Sequence, residues 1–219
     1  AYLRPVLILL LVLICLAMAA LQYWRAATRG ERFEREQAAL LASPVSLSPQ
    51  LREREALLDR AATVRGRWRT EKTLFLDNKI HRSRPGYHVL TPLQLSGSEV
   101  VVLVNRGWVA APRLRSELPA VASATGEIEV AGVTRSFETR IFELRETPPQ
   151  GNVWQHVREA EYRRHSGLDA LPVLLLQIGA DNGGMIRDWG SAENPATKHH
   201  GYMAMWLVFA LMAATMREA

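Results

Sequence analysis

The sequence predicts an α+β fold in which two terminal transmembrane helices flank a soluble domain built on an antiparallel β-sheet or small barrel. Three observations carry this. Apolar runs stand near both ends, "VLILLLVLICLAMAAL" at 6–21 and "GYMAMWLVFALMAATM" at 201–216. Between them, five stretches alternate apolar and polar residues with the period of two that a half-buried strand requires. Three further stretches read as helices instead. The expected organisation is a transmembrane helix over 5–24, an extracytoplasmic α+β domain over 25–198 and a second transmembrane helix over 199–217.

The first span holds no charge from Val6 to Leu21 and runs on to Tyr23 and Trp24. That is about 19 residues, or roughly 28 Å of helix, enough for a bilayer core. Its aromatic pair suits the membrane interface, and a cleaved signal peptide would have a shorter apolar core. "RGERFEREQAALLA" (29–42) continues as a helix until "SPVSLSP" (43–49) breaks it. "LSPQLREREALLDRAA" (47–62) predicts a second helix, with Ser48 as N-cap and Pro49 at its first position. Strands follow at 63–69, 73–78, 87–93, 99–109 and 126–135, with "LSGSE" (95–99) as a hairpin turn. "VWQHVREAEYRRHSG" (153–167) predicts an amphipathic helix closed by Gly167, and "LPVLLLQI" (171–178) a central, buried strand. In the last span Tyr202 and Trp206 form a second aromatic belt. The chain opens on Ala1 and stops at Ala219, and neither is taken as an end of the protein.

Composition excludes several classes of function. The net charge of +5 is dispersed among glutamates, as in "ERFERE" (31–36), which describes solvated helix faces and not nucleic-acid binding. Cys15 is the one cysteine, so no internal disulfide is available. No nucleophile elbow, zinc-protease motif, P-loop or dinucleotide fingerprint occurs, and the chain is not expected to be an enzyme. His81 and His88 are not spaced for a metal, and His156 and His165 are expected to be solvated on an arginine-rich helix. In "VNRGWV" (104–109), Asn105 and Arg106 interrupt an apolar strand, and Gly107 marks a bulge or a close backbone approach. Two uses are open: a strand-end turn with Trp108 covering the core, or a partner-binding set of Asn105, Arg106, Gly107 and Trp108.

The segments "PGYHVLTPL", "VVVLVNRGWV", "GEIEVAGVTR", "NVWQH" and "HHGYMAMW" occur in that order. In this the chain resembles the Surfeit locus protein one family over about residues 6–216. Its most specific parts are "VNRGW" and the His-x-x-Tyr at the mouth of the last span. The resemblance implies an assembly factor for haem–copper terminal oxidases, with the oxidase subunits and the lipid bilayer as partners. It also implies a multi-pass protein of the bacterial inner membrane, or of the mitochondrial inner membrane if eukaryotic. The middle domain is then periplasmic, or in the intermembrane space. Positive-inside counting runs the other way, with Arg25, Arg29, Arg32 and Arg35 after the first span and Arg4 before it, but long loops escape that rule.

Bacterial members are similar to haem a carriers whose histidine before the last span binds the iron. By position that residue is His199, followed by Tyr202 and Trp206. Thr197-Lys198 stands where the family often has Asn-Asn, and His200 where an aliphatic residue is usual, so either histidine is a candidate ligand. The implied haem site, for an a-type haem or a related one, is therefore His199, His200, Tyr202 and Trp206, with His199 on the metal. Helical spacing allows His199, Tyr202 or Met203, and Trp206 to share one face. An interfacial histidine beside an aromatic belt is the plain alternative. The second functional reading is an accessory subunit that stays on the mature oxidase with no cofactor of its own.

Overall fold

The computed structural model describes residues 3–114, 117–137, 151–179, 184–189, 194 and 196–215. In chain order the first elements are α1 (Leu3–Leu41), β1 (Val45–Ser46), α2 (Arg54–Leu57), β2 (Ala61–Trp68) and a 3-10 turn (Thr70–Lys72). Then come β3 (Leu74–His81), β4 (Arg84–Leu95), β5 (Val101–Ala110) and β6 (Ile128–Arg135). The last are β7 (Val153–Trp154), α3 (Glu159–Ser166), β8 (Ala170–Gln177) and α4 (Ala196–Thr215). Two compact units result, one of Ala1–Ala38 with Gly190–Ala219 and one of Ala39–Trp189.

The first unit is an antiparallel helix pair. In α1 the residues turned from the surface include Ile8, Val12, Cys15, Ala19, Gln22, Ala26 and Gly30; in α4 they are Ala196, His199, Met203, Trp206, Ala210 and Ala213. Steps of three and four give both stripes the mean period near 3.5 of a coiled-coil seam. At one end a Cβ added to Gly30 would stand 3.4 Å from Ala196 Cβ. At the other, Pro5, Val6, Ile8, Leu9 and Val12 line a groove with Ala214. Small residues dominate the stripes, which lets two helices approach without a water-driven hydrophobic term. Away from the seam, Leu7, Leu9, Leu10, Leu13 and Ile14 are 49–59% exposed.

α1 joins the first expected span to the helix expected after it, because residues 25–29 contain no breaker; Pro44 ends the run. Among the described residues it is the one helix long and apolar enough to cross a membrane, over Leu3–Glu31. α4 falls short of that measure. Its first turn carries Lys198, His199 and His200, and the uncharged remainder from Gly201 to Thr215 rises about 22 Å against about 30 Å of hydrocarbon.

The second unit is a closed β-barrel with additions. β2 pairs with β6, β6 with β8, β8 with β5, β5 with β4, and β4 returns to β2 through Gly66↔Leu95, Arg67↔Gln94 and Trp68↔Leu93. β3 lies on β4, β7 on β3 and β1 on β2. All five barrel strands feed one core: Ala62, Val64, Leu93, Leu95, Val102, Val104, Val130, Leu171, Val173 and Leu175. The opposite faces of β5 and β8 contribute Val101, Leu103, Ala170 and Leu174 to a second core, under Trp154 and Tyr162. This double burial explains why "VVVLV" and "LPVLLL" read as continuous apolar runs.

Closure needs a glycine at the seam. A Cβ on Gly66 would stand 1.9 Å from the Gln94 carbonyl oxygen, so no other residue fits without moving backbone.

The five expected strands, the 95–99 turn and the buried strand β8 are all present. Three expectations need correction. The sheet is mixed, since β5–β8, β1–β2 and β3–β7 are parallel. The helix expected over 47–62 shrinks to α2; Ser48 instead accepts a turn bond from Leu51 N at 3.1 Å, and β2 takes the chain from Ala61. The helix expected from 153 begins at Glu159, because Val153 and Trp154 are drawn into the sheet beside β3. Gly167 does close it in the left-handed region, φ 69°. His156 consequently precedes that helix, and its side chain is 11% exposed near Glu161, whereas His165 is exposed as expected.

Candidate functional site

The structure separates the two motifs that the sequence singles out. "VNRGW" lies in β5 of the barrel unit. Its register against β4 passes from Leu90↔Asn105 to Val89↔Gly107, so Arg106 is the extra residue of a β-bulge. Gly107 has φ 135°, and a Cβ there would stand 2.8 Å from the Ile186 carbonyl oxygen. Both expectations for that glycine, a bulge and a close approach, hold. The chain from 184 to 189 lies against this bulge. Trp108 N donates to Ile186 O at 2.7 Å, Ile186 N to Trp108 O at 2.8 Å, and Arg187 Nε to Arg106 O at 3.0 Å.

The side chains of the motif turn inward. Asn105, Arg106 and Trp108 are 5%, 4% and 5% exposed. Arg106 donates to Ser123 Oγ and to the Ala122 carbonyl, each at 2.7 Å, and its guanidinium stands 4.7 Å from the Trp68 ring centroid. Among the described residues its Nε finds no hydrogen-bond partner. Burial, with the Arg187 charge, pulls its pKa down to about 10. The motif therefore holds two chain segments to the barrel, 121–123 through Arg106 and 184–189 through the bulge.

Beneath it lies a polar group that the sequence reading missed. His88 Nδ1 lies 3.3 Å from Asn105 Nδ2, and its ring meets Trp189 edge-on at 5.7 Å. Asn105 Oδ1 already accepts from Gly107 N at 3.3 Å, so the amide nitrogen is the group that faces His88 and donates to it. Burial and, behind it, the Lys79 charge pull the imidazole from its ordinary 6.5 down to about 4. It stays neutral in the fold.

The second site is the mouth of the helix pair. His199 sits on the seam stripe of α4, two residues before Gly201 ends the polar turn. Its Nδ1 is 2.7 Å from Gln22 Oε1 and its Nε2 is 2.6 Å from Arg29 Nη1. Gln22 and Arg29 are seven residues apart on α1, two turns along one face, so both reach the same ring. A guanidinium can only donate, so Nε2 holds the lone pair and Nδ1 carries the proton that Gln22 accepts.

Of the expected haem set, the structure brings His199 together with Trp206, on a face completed by Met203. Tyr202 is 52% exposed and His200 is exposed, both off that stripe. Gln22 and Arg29 are the partners sequence reasoning missed. Their signal was the same seven-residue stripe: Gln22 is the polar residue that closes an otherwise apolar run, in step with Cys15, Ala19 and Ala26.

These donors fit one kind of metal and not another. A bare ion needs three or more protein ligands, and among the described residues no group of three or more His, Cys, Asp or Glu side chains could hold one. A porphyrin brings four nitrogens of its own, so a single imidazole with a held Nδ1–H, as His199 has, would be enough protein ligation for it. Arg25 and Arg29, one turn apart, supply the cations that carboxylates at a haem edge would pair with.

A profile of the SURF1 family matches residues 9–211. Surfeit locus protein 1 of Xenopus tropicalis is 26% identical over 230 aligned positions, covering 94% of this chain and 72% of that protein. The SURF1-like protein of Drosophila melanogaster is 27% identical over 195 positions, 80% of this chain and 63% of its own. Human Surfeit locus protein 1 is 28% identical over 137 positions, 56% of this chain and 45% of the human one. The match thus spans only part of the length of the fly and human relatives.

Proposed function

The chain belongs to the SURF1 family, and we propose that it is a membrane-anchored assembly factor for a haem–copper terminal oxidase, holding haem through His199. In this reading α1 and α4 both span the inner membrane, and the barrel stands on its periplasmic or intermembrane-space side. The partners are oxidase subunits, and the protein performs no catalysis of its own. Haem iron, when bound, would supply a Lewis-acidic centre, and the neutral imidazole of His199 would hold it.

The observation that carries the proposal is the state of His199. It sits on the helix seam with Nδ1 engaged by Gln22, and Nε2 faces a side chain that can swing away. The outward rows of α4 support a second span. Leu207, Val208, Phe209, Leu211 and Met212 are 44–67% exposed, a surface suited to lipid. Trp206 and the exposed Tyr202 lie one turn above them, where an interface belongs.

The test is spectroscopic. Full-length protein in mild detergent, loaded with haem, will show a low-spin Soret band that His199→Ala loses and His200→Ala keeps. Equal binding by His199→Ala and the parent removes the proposal. One observation favours the alternative, an accessory subunit without cofactor: both ring nitrogens of His199 are bonded inside the pair, as a fastener's would be. That reading expects no haem band and stoichiometric retention of the chain on the purified oxidase.

A further inference from the structure

The haem reading of His199, on which this inference rests, does not say why an amide is buried in a seam of small apolar residues. Gln22 is 8% exposed, and its oxygen is spent on His199 Nδ1 at 2.7 Å. Any fastener would serve a helix pair, and a fastener has no need of a particular tautomer. This arrangement has one. The two neighbours impose it together: Arg29 Nη1 can only donate, to Nε2, and Gln22 Oε1 then takes the proton of Nδ1–H. They also settle the amide's own orientation. With Nε2 accepting, Nδ1 must donate, so the Gln22 atom facing it is oxygen.

We propose that Gln22 is a positioning residue for an iron ligand. It holds His199 in the Nδ1–H tautomer with the Nε2 lone pair presented, and Arg29 caps that lone pair until a haem takes its place. Gln22 touches the imidazole and not the iron. Its effect on the metal passes through the ring, as an Nδ1–H acceptor tunes the basicity of a ligating histidine. Arg29 is released by the same exchange, and a guanidinium freed at the mouth of the pair suits a haem carboxylate.

The experiment uses the full chain in detergent, as parent, Gln22→Glu, Gln22→Met and His199→Ala. In haem-free protein, nitrogen-15 NMR of the His199 ring will report the Nδ1–H tautomer in the parent. In Gln22→Met the Nε2–H tautomer will rise at its expense. An Nε2–H ring in the parent overturns the proposal. With haem bound, Gln22→Met will weaken affinity by about 10- to 100-fold, the usual cost of losing an outer partner of a ligating histidine. The midpoint potential will rise in Gln22→Met and fall in Gln22→Glu, whose carboxylate makes the ring a stronger donor. Helix packing alone moves neither potential in a fixed direction. Gln22→Glu has the size of the parent side chain, so it carries the test if Gln22→Met fails to fold. If His199→Ala abolishes binding while both Gln22 variants keep the parental affinity and potential, the positioning role is wrong and the haem reading stands. If haem binds regardless of His199, both fall.

Discussion

His88 makes the stability of the barrel depend on pH in a direction that can be worked out. Its imidazole is held neutral by burial and, behind that, by the Lys79 charge, with a folded pKa of about 4 against an ordinary 6.5. The hydrogen bonds agree, since Nδ1 faces the Asn105 amide nitrogen, a donor, and has no acceptor to give a proton to. A depressed basic group favours the unfolded chain once that chain can bind the proton. Its contribution is therefore complete above pH 6.5, declines as pH falls from 6.5 to 4, and is gone below 4. The gap between the two values, at 1.36 kcal/mol for each unit of pH, amounts to about 3 kcal/mol, of which about 2 kcal/mol is lost by pH 5. Chemical denaturation of the full chain, followed by tryptophan fluorescence at pH 7.5, 6 and 5, measures it, and Trp189 lies against the ring as a local reporter. Carboxylates contribute their own slope below pH 5, so the quantity to read is parent minus His88→Gln, which keeps an acceptor for Asn105 and does not titrate. That difference will shrink by about 2 kcal/mol between pH 7.5 and 5. A difference that stays constant across the range refutes the argument that the ring is buried and neutral.

Two further outcomes test the barrel. Gly66→Ala will cost about 3 kcal/mol, because its Cβ meets the Gln94 backbone at 1.9 Å and the β2–β4 seam must open to admit it; thermal unfolding will show a midpoint roughly 6–12 °C lower. Arg106→Lys will destabilise more than Arg106→Met, by about 2 against about 1 kcal/mol in urea titrations, because lysine keeps a buried charge without the fork that reaches Ser123 and Ala122. The reverse order would mean that the charge itself is wanted there.

Local patterns predicted what local forces decide. The strands β2 to β6 and β8 were legible because alternation and turn residues such as Gly97 fix them within a few positions. A small barrel was one of the two expected forms, but closure itself was not legible, since it depends on Trp68 finding Leu93 and on β8 lying parallel to β5, pairings no short window contains. The 47–62 helix misread for a related reason: Leu57 enters the barrel core as the last residue of α2, and pairing of β2 with β6 claims the backbone from Ala61 onward. In the helix pair, His199 was legible as a residue and its setting was not. Gln22 lies 177 positions away, and only the two stripes in register relate them. "VNRGW" is the instructive case. Its glycine was understood from sequence, but its arginine and tryptophan point into the fold, so a motif conspicuous enough to suggest a partner acts by holding neighbouring chain.

That result moves the functional weight onto the helices. A hydrogen bond between membrane helices contributes on average about 0.6 kcal/mol, with an upper range near 1–2 kcal/mol. Cys15, Ala19, Ala26 and Gly30 against Ala196, Ala210 and Ala213 already provide the close approach that holds such a pair. In the proposed two-span arrangement, an alanine at position 199 and a leucine at position 22 would give a seam of similar strength without the cost of bringing an imidazole, an amide and a guanidinium to the edge of the hydrocarbon. Ionisable groups at that depth are expensive and ordinarily mark function. Stability therefore does not explain the trio. In the proposed reading, the ring with one nitrogen held by Gln22 and the other covered by Arg29 awaits a ligand for that second nitrogen.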